Sequence, residues 1–162
     1  MFDVLVYVYE HYWRGDSCPE LPLLGRKLSA AGFDPDEIQQ ALSWLAGLNN
    51  AAQHADLIEL QPSQPPSAYA QSPQSMRVYS DEEQRHLGAA CLGFLTFLES
   101  AGVISAQMRE IVVDRAMAVT DHPVSLDDLK IIVLMVFWSA GIEPDALVLD
   151  ELCDDSGDRL AH

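Results

Sequence analysis

The sequence contains few basic residues. It has 9 Lys and Arg against 25 Asp and Glu, which gives a formal net charge of -16 at pH 7. A nucleic-acid backbone would be repelled by this charge, since nucleic-acid affinity comes largely from Lys and Arg that displace counterions. Anionic membrane surfaces are disfavoured for the same reason. Complementary charge accelerates association with a basic surface, so the composition predicts a basic protein partner.

Cysteines are few and follow no pattern. Cys18, Cys91 and Cys153 are widely spaced and form no CxxC pair, which argues against a disulfide framework and against structural zinc. Asp3 stands where a signal peptide would carry positive charge. The longest apolar run, residues 131–138, is far shorter than the roughly 20 residues that span a bilayer. These features predict a cytoplasmic protein without a membrane partner.

Motifs that would carry chemistry are also missing. The chain has no GxxxxGKS or GxxxxGKT loop and no GxGxxG loop to hold phosphates, and its histidines are scattered. Cys91 lies on an apolar helical stripe, and His86, five residues earlier, points away from it on a helix. Nucleophilic catalysis needs a base within reach of the nucleophile. The sequence therefore predicts a non-enzymatic protein with no catalytic, metal-binding or cofactor-binding residues and no cofactor.

Helical signals are present throughout residues 1–50. Apolar residues at helical spacing predict a helix over Phe2–Trp13, although the Val and Tyr content of this segment also suits a strand. A second helix is expected over Pro22–Ala31. A third is expected over residues 35–48, because Asp34 can cap it and Glu37 lies in the capping-box position. Together these helices predict a small N-terminal lobe.

Residues 51–79 have the composition of a linker. Residues 61–74 contain four prolines among Gln, Ser and Ala, a composition that packs poorly and favours a flexible chain. At the end of this segment, residues 76–79 form a short extended piece. It could pair as a single β-strand or attach the linker to the helical bundle.

Three serines mark helix starts in the second half of the chain. Ser80, Ser105 and Ser125 each precede an apolar helical stripe. A short final helix is expected from Pro144 to Cys153, followed by an acidic, flexible tail over residues 154–162. The sequence thus predicts an all-α protein whose N-terminal lobe, residues 1–50, is linked to a C-terminal helical bundle, residues 80–153. The apolar run 131–138 would be either the central helix of that bundle or the face of a homodimer.

The helix pair within residues 22–48 has the outline of a helix-turn-helix. A recognition helix should offer Arg, Lys or Asn to a groove. The outward positions of the second helix are instead Asp36, Glu37, Gln39, Gln40 and Ser43. Nucleic-acid binding is therefore disfavoured, and a nucleic-acid-associated regulator acting through this unit is kept as the alternative function.

The same unit also looks like the loop and last helix of ubiquitin-associated-type three-helix bundles, which present a small apolar patch to a partner protein. Here the patch would centre on Phe33 and Trp44, with Leu48 beside them. The other interpretation is that Phe33 packs onto its own bundle, because a glycine followed by a hydrophobic residue is also common at the C-terminal end of a helix. Tyr7 and Trp13 belong to a helix with more aromatics than one buried face can hold, so we expect them at a lobe interface or a partner site.

Five segments together resemble the bacterial Smg family. They are MFDVLVYVYEHYW, GFDPDEIQQALSWLAGL, SMRVYSDEEQRHL, CLGFLTFLE and LDDLKIIVLMVFW. The resemblance extends from Met1 to about Trp138 and is weakest in the Pro/Gln-rich stretch. It implies a small acidic cytosolic protein of bacteria, with no assigned reaction and no catalytic residues to carry over. The combined prediction is a non-enzymatic adaptor that binds a basic protein.

Overall fold

The computed structural model describes residues 1–12, 20–59 and 77–153. These residues form helices and connecting turns, and no strand occurs among them. The helices are α1 (Phe2–Tyr12), α2 (Leu21–Ala31), α3 (Pro35–Glu59), α4 (Asp81–Ser100), α5 (Ala106–Met117), α6 (Leu126–Ser139) and α7 (Ala146–Cys153). The predicted all-α class is confirmed. None of the described helices combines the length and the apolar composition that a membrane span needs.

Helix α6 is the centre of the bundle. Every residue from Leu129 to Phe137 is buried, and α1, α3, α4, α5 and α7 all pack against this helix. A helix that is apolar all round is stable only when neighbours cover each of its faces. The run at 131–138 is therefore the central helix of the bundle and is not available as a dimer face.

The two halves of the chain share one hydrophobic core. Helix α1 packs on α6, and α3 packs on α5, so apolar side chains of the first 50 residues join those of the second half in one cluster. The sequence left open whether the two predicted lobes have a common core. The packing shows that they do.

The serine caps form as predicted. The hydroxyl of Ser80 accepts from the backbone N–H of Glu83 at 3.2 Å, and Ser105 and Ser125 accept from Met108 and Asp128, each at 3.1 Å. These bonds satisfy donors that the first turn of a helix leaves without an intrahelical partner. Local spacing alone therefore sets the starts of α4, α5 and α6.

Two predictions about residues 51–79 need correction. Helix α3 continues to Glu59, so the segment predicted as linker from residue 51 begins as helix. Residues 77–80 are irregular, so the described part of the expected β piece at 76–79 forms no strand. The predicted linker core at 61–74 and the tail at 154–162 lie outside the described residues.

Helix α4 contains a sharp break at Gly88, whose backbone angles are φ 71° and ψ 169°. Only glycine adopts this region readily, because a Cβ would collide with the backbone. The break lets the buried residues Leu87 and Cys91 on its two sides both reach the core. The backbone N–H of Val124 donates to the carbonyl of His86 at 3.0 Å, and this bond attaches the α5–α6 loop to the first half of α4.

Candidate functional site

A cluster of aromatic rings lies where α1 meets the α2–α3 turn. The ring of Tyr7 stacks on that of His11 with centroids 3.9 Å apart, and it meets Phe33 edge-on at 5.2 Å. The imidazole N–H of His11 donates to the carbonyl of Tyr7 at 2.9 Å, which fixes the stack. Tyr7 and Phe33 are partly exposed, so two of the predicted partner-binding residues come together at the surface.

The other predicted partner-binding residues are placed differently. Leu48 is fully buried and Trp44 is only 4% exposed, because α5 and α6 cover this side of α3. The patch predicted around Phe33, Trp44 and Leu48 is therefore corrected: Leu48 belongs to the core, and Trp44 shows only an edge. Trp13 lies outside the described residues.

That edge of Trp44 lines a cleft between α3 and the end of α5. The cleft has a volume of about 420 Å³, within the range of roughly 300–1,000 Å³ typical of ligand pockets. Polar side chains converge on it from both walls. Its lining consists of Met1, Gln39, Gln40, Ser43, Trp44, Arg115, Ala118, Val119, Thr120 and Asp121.

Hydrogen bonds join the two walls of the cleft. The indole N–H of Trp44 donates to the backbone carbonyl of Arg115 at 3.0 Å. At the rim, the amide of Gln40 donates to the carboxylate of Asp121 at 3.2 Å, and this bond is exposed to solvent. The partly buried Trp44–Arg115 bond fixes the position of the walls, whereas the exposed Gln40–Asp121 bond can exchange for bonds to a bound group.

Cations at the cleft are already neutralised by carboxylates of the chain itself. The guanidinium of Arg115 donates to Asp114, with its Nη2 2.7 Å from the carboxylate, and the amino group of Met1 pairs with Glu37 at 3.4 Å. The carboxylate of Asp121 is held by a neutral amide. The cleft thus has a negative balance and presents amide and hydroxyl groups on either side.

A second group of ion pairs attaches residues 77–80 to α4 and α5. The guanidinium of Arg77 donates to both oxygens of Glu83, at 2.9 and 3.1 Å, and to Glu110 at 2.7 Å. It also lies 4.4 Å from the ring centroid of Tyr79. Ion pairs therefore attach this piece to the bundle, which is one of the two roles predicted for it.

Arg109 extends this network into the protein. Its side chain is 6% exposed and donates to Glu99 at 2.6 Å and to Glu110 at 2.8 Å. Burial would lower the pKa of Arg109, but the hydrogen bonds to the two carboxylates outweigh it and raise the pKa. Burial would likewise raise the pKa of Glu110, yet the hydrogen bonds from Arg77 and Arg109 leave it lowered. Arg109 and Glu110 therefore stay charged near neutral pH, and their ion pairs link α4, α5 and residues 77–80.

The comparisons with known proteins cover the whole chain. A family model described as "Protein of unknown function (DUF494)" matches residues 1–162. The chain is 57% identical over 162 residues to a Protein Smg homolog of Methylibium petroleiphilum, with 100% of both chains covered. It is 57% identical to a Protein Smg homolog of Leptothrix cholodnii and 48% identical to one of Bordetella avium, again over 100% of each chain.

The chain belongs to the Smg (DUF494) family. The resemblance that five sequence segments indicated is thereby confirmed and extends through the Pro/Gln-rich stretch. No solved structure matches the chain. Because the family description names no reaction and no ligand, the roles of individual residues rest on the geometry of this Smg-family fold.

Cys91 and His86 do not face each other in this fold. The thiol of Cys91 is buried and points at the carbonyl of Val124, 3.5 Å away, while the ring of His86 donates to the carbonyl of Ala116 at 3.2 Å. Burial, together with the nearby charge of Asp128, raises the pKa of the Cys91 thiol. The Cys91 thiol therefore contacts the α5–α6 loop, and the His86 ring contacts the last turn of α5. Over the described ranges, no three His, Cys, Asp or Glu residues are grouped as metal ligands would be.

Sequence reasoning missed the cleft and the buried arginine. Both depend on helices that are distant in the chain: Gln40 meets Asp121, and Arg109 meets Glu99 and Glu110. One signal was available, because Gln39, Gln40 and Ser43 are uncharged polar residues on an otherwise acidic helix start. Their pattern indicates an amide-rich helical face, although it does not show what lies opposite.

Proposed function

We propose that this protein is a non-enzymatic adaptor that binds a basic segment of a partner protein in the cleft between α3 and α5. The observation that carries the proposal is the charge balance of the cleft. Both cations in its lining are neutralised by carboxylates of the chain, while the carboxylate of Asp121 at the rim is held only by the neutral amide of Gln40. A Lys or Arg side chain can pair with Asp121 there.

The lining of the cleft suits an extended peptide. The amides of Gln39 and Gln40 can each donate and accept, as can the hydroxyls of Ser43 and Thr120. Groups of this kind match the alternating N–H and C=O groups of a peptide backbone. The edge of Trp44 adds an apolar surface, which is typical of the residues that contribute most to binding energy at interfaces.

Charge on the rest of the described surface supports the same class of partner. Arg77, Arg109 and Arg115 form ion pairs with carboxylates of the chain, and Lys130 is buried. Exposed carboxylates lie at the start of α3, which forms one wall of the cleft, among them Asp34 and Asp36. A basic partner would therefore be attracted over a distance of about 8–10 Å at moderate salt and would bind more weakly as salt rises.

The aromatic cluster of Tyr7, His11 and Phe33 is a second contact surface in this proposal. Tyr12, the residue after His11, has the ammonium of Lys27 5.2 Å from its ring centroid. Exposed aromatic rings are enriched at protein interfaces. This surface would add apolar contact area to a partner whose basic segment occupies the cleft.

The test is affinity capture of the tagged full chain from its own cells at low and high salt, followed by binding measurements with the purified captured protein. Asp121→Asn should weaken binding about tenfold, because it removes the carboxylate at the rim. Glu82→Gln is the matched control, since it removes one exposed carboxylate from α4 and should have little effect. An affinity that changes neither with salt concentration nor with Asp121→Asn would refute the proposal.

The nucleic-acid alternative has less support. A nucleic-acid groove would have to contact Gln39, Gln40 and Ser43. These residues line a cleft whose other wall is the end of α5. Asp34 and Asp36 are exposed at the start of the same helix and would repel phosphates. A salt-dependent mobility shift of labelled DNA or RNA by the purified chain would instead favour this alternative.

A further inference from the structure

The α5–α6 loop, residues 118–125, carries Asp121 to the rim of the cleft. Asp121 is exposed, whereas Val119 and Val124 near the two ends of the loop are buried. The bond between Asp121 and Gln40 is exposed to solvent, and an exposed bond of this kind contributes little to holding a loop in place because water competes for it. The position of the Asp121 carboxylate therefore depends on what attaches the loop at its two ends.

One residue of α4, His86, contacts the chain at both ends of this loop. The ring of His86 donates to the carbonyl of Ala116 in the last turn of α5 at 3.2 Å. The same carbonyl also accepts from the backbone N–H of Val119 at 3.1 Å. The backbone carbonyl of His86 accepts from the N–H of Val124 at 3.0 Å. His86 is thus bonded both where the chain leaves α5 and where it approaches α6.

The carbonyl of His86 can accept from the loop because α4 is broken at Gly88. In a continuous helix this carbonyl would accept from the backbone N–H of Ala90, four residues further on. That bond needs helical angles throughout residues 87–89, and Gly88 has φ 71° and ψ 169° instead. A backbone carbonyl released in this way needs another donor, and the N–H of Val124 supplies it. The break thus converts an acceptor of the helix into an attachment point for the loop.

The second half of α4 reaches the same end of the loop. The thiol of Cys91 donates to the carbonyl of Val124, with the sulfur 3.5 Å from the oxygen. The N–H and the carbonyl of Val124 are therefore both bonded to α4, one on each side of the break. The angle between the two halves of this helix thus determines where the loop ends and α6 begins.

We propose that His86 is a positioning residue for the cleft. Its ring and its released carbonyl hold the two ends of the α5–α6 loop, and this attachment places the carboxylate of Asp121 on the rim. His86 is not part of the cleft lining, so it acts through the loop and not by touching a bound segment. The effect on binding rests on the function proposed above, whereas the effect on the position of Asp121 can be measured in the free chain.

Nuclear magnetic resonance of the purified full chain tests the position of Asp121 without a partner. His86→Leu removes the ring donor, so the amide of Val119 should exchange with solvent about tenfold faster, relative to the amides of the central helix α6. The side-chain amide resonance of Gln40, which donates to Asp121, should move towards its position in Asp121→Ala. His86→Gln should restore both signals, because the side-chain amide of glutamine can donate to the carbonyl of Ala116.

Gly88→Ala tests the backbone carbonyl separately. Alanine is strained at the backbone angles of Gly88 and favours a continuous helix, in which the carbonyl of His86 would bond to Ala90. The amide of Val124 should therefore exchange about tenfold faster, again relative to the amides of α6. An unchanged rate would show that the break does not supply the attachment, and the proposal would lose one of its two contacts.

Gln84→Leu is the matched control for these variants. The side-chain amide of Gln84 donates to the carbonyl of Tyr79 at 2.8 Å, so the substitution removes a side-chain bond from the same half of α4 without affecting the loop. The signals of Val119, Val124 and Gln40 should stay as in the wild type. Circular dichroism of each variant would show that the fold is retained.

Binding of the captured partner gives the functional result. His86→Leu should weaken binding about fivefold, and His86→Gln should leave it near the wild-type value. A Gln40 resonance that His86→Leu leaves in place would overturn the inference. So would an unchanged affinity of His86→Leu where Asp121→Asn weakens binding, and in that case the proposed function stands. If Asp121→Asn does not affect binding, the proposed function fails, while a displaced Gln40 resonance would still support the positioning role of His86.

Discussion

The indole N–H of Trp44 donates to the backbone carbonyl of Arg115 at 3.0 Å, across 71 positions of sequence. Arg115 lies in the last turn of α5, where carbonyl groups have no partner within the helix. A side chain of α3 thus completes the C-terminal end of α5. This bond adds a specific contact to the shared hydrophobic core of the predicted N-terminal lobe and the C-terminal bundle, and it positions both walls of the cleft.

Trp44→Phe should lower the free energy of unfolding by about 1–2 kcal/mol. The change keeps an aromatic ring in place but leaves the partly buried carbonyl of Arg115 without its donor, and such a loss costs about this much. Urea unfolding followed by circular dichroism measures the difference. Trp138→Phe is the control, since Trp138 is partly exposed on α6. An equal loss for the two variants would contradict the role assigned to the Trp44 bond.

Gly47 and Arg115 should be energetically coupled. A Cβ at Gly47 would collide with the guanidinium of Arg115, although alanine is otherwise favoured over glycine in a helix by about 1 kcal/mol. Gly47→Ala should therefore give little or no gain in the wild type and a gain of about 1 kcal/mol in an Arg115→Ala background. A double-mutant cycle from urea unfolding measures this coupling. Additive effects would show that the two residues are not in contact in solution.

Features that depend on local spacing could be predicted from the sequence. The serine caps at Ser80, Ser105 and Ser125 follow from residues three positions apart, and the all-α class follows from the stripes behind them. The end of α3 was missed even though a signal was present. No proline occurs between Pro35 and Pro62 and no glycine after Gly47 in that stretch, so nothing local ends the helix at Leu48.

Features that depend on packing between distant segments could not be predicted. The likeness to ubiquitin-associated-type bundles placed Trp44 in an exposed apolar patch, but α5 covers it. Arg109 stands among apolar residues of α5, and only the positions of Glu99 and Glu110 explain why a cation is buried there. Periodicity shows that a face is covered, whereas it does not show which helix covers it.

Acid should release the attachment of residues 77–80. Hydrogen bonds, first from the side chain of Arg77 and then from the backbone of Ser80, lower the pKa of Glu83 from 4.5 to about 2. A lowered carboxyl pKa means that the stabilisation is complete above pH 4.5 and is lost as the pH falls towards 2. Arg77→Met should therefore cost about 1–2 kcal/mol at pH 7 and progressively less over this range.

Urea unfolding at a series of pH values measures this dependence on Arg77. Arg85→Met is the matched control, because Arg85 is exposed on α4 and its Nε donates to the backbone carbonyl of Asp81. Its cost should be small at every pH. An Arg77→Met deficit that persists unchanged at pH 2 would mean that Glu83 is not the group through which Arg77 stabilises the fold.

Two glycines of α4 should respond in opposite directions to the same substitution. Gly88→Ala should destabilise by about 1–3 kcal/mol, because φ 71° and ψ 169° form a region that only glycine enters without strain. Gly93→Ala should stabilise by about 0.5–1 kcal/mol, because Gly93 lies within the helix and an added Cβ meets nothing within 4 Å. Thermal unfolding followed by circular dichroism compares the two. If both changes were stabilising, α4 would be continuous through residue 88 in solution, and the break that lets both halves of this helix reach the core would be absent.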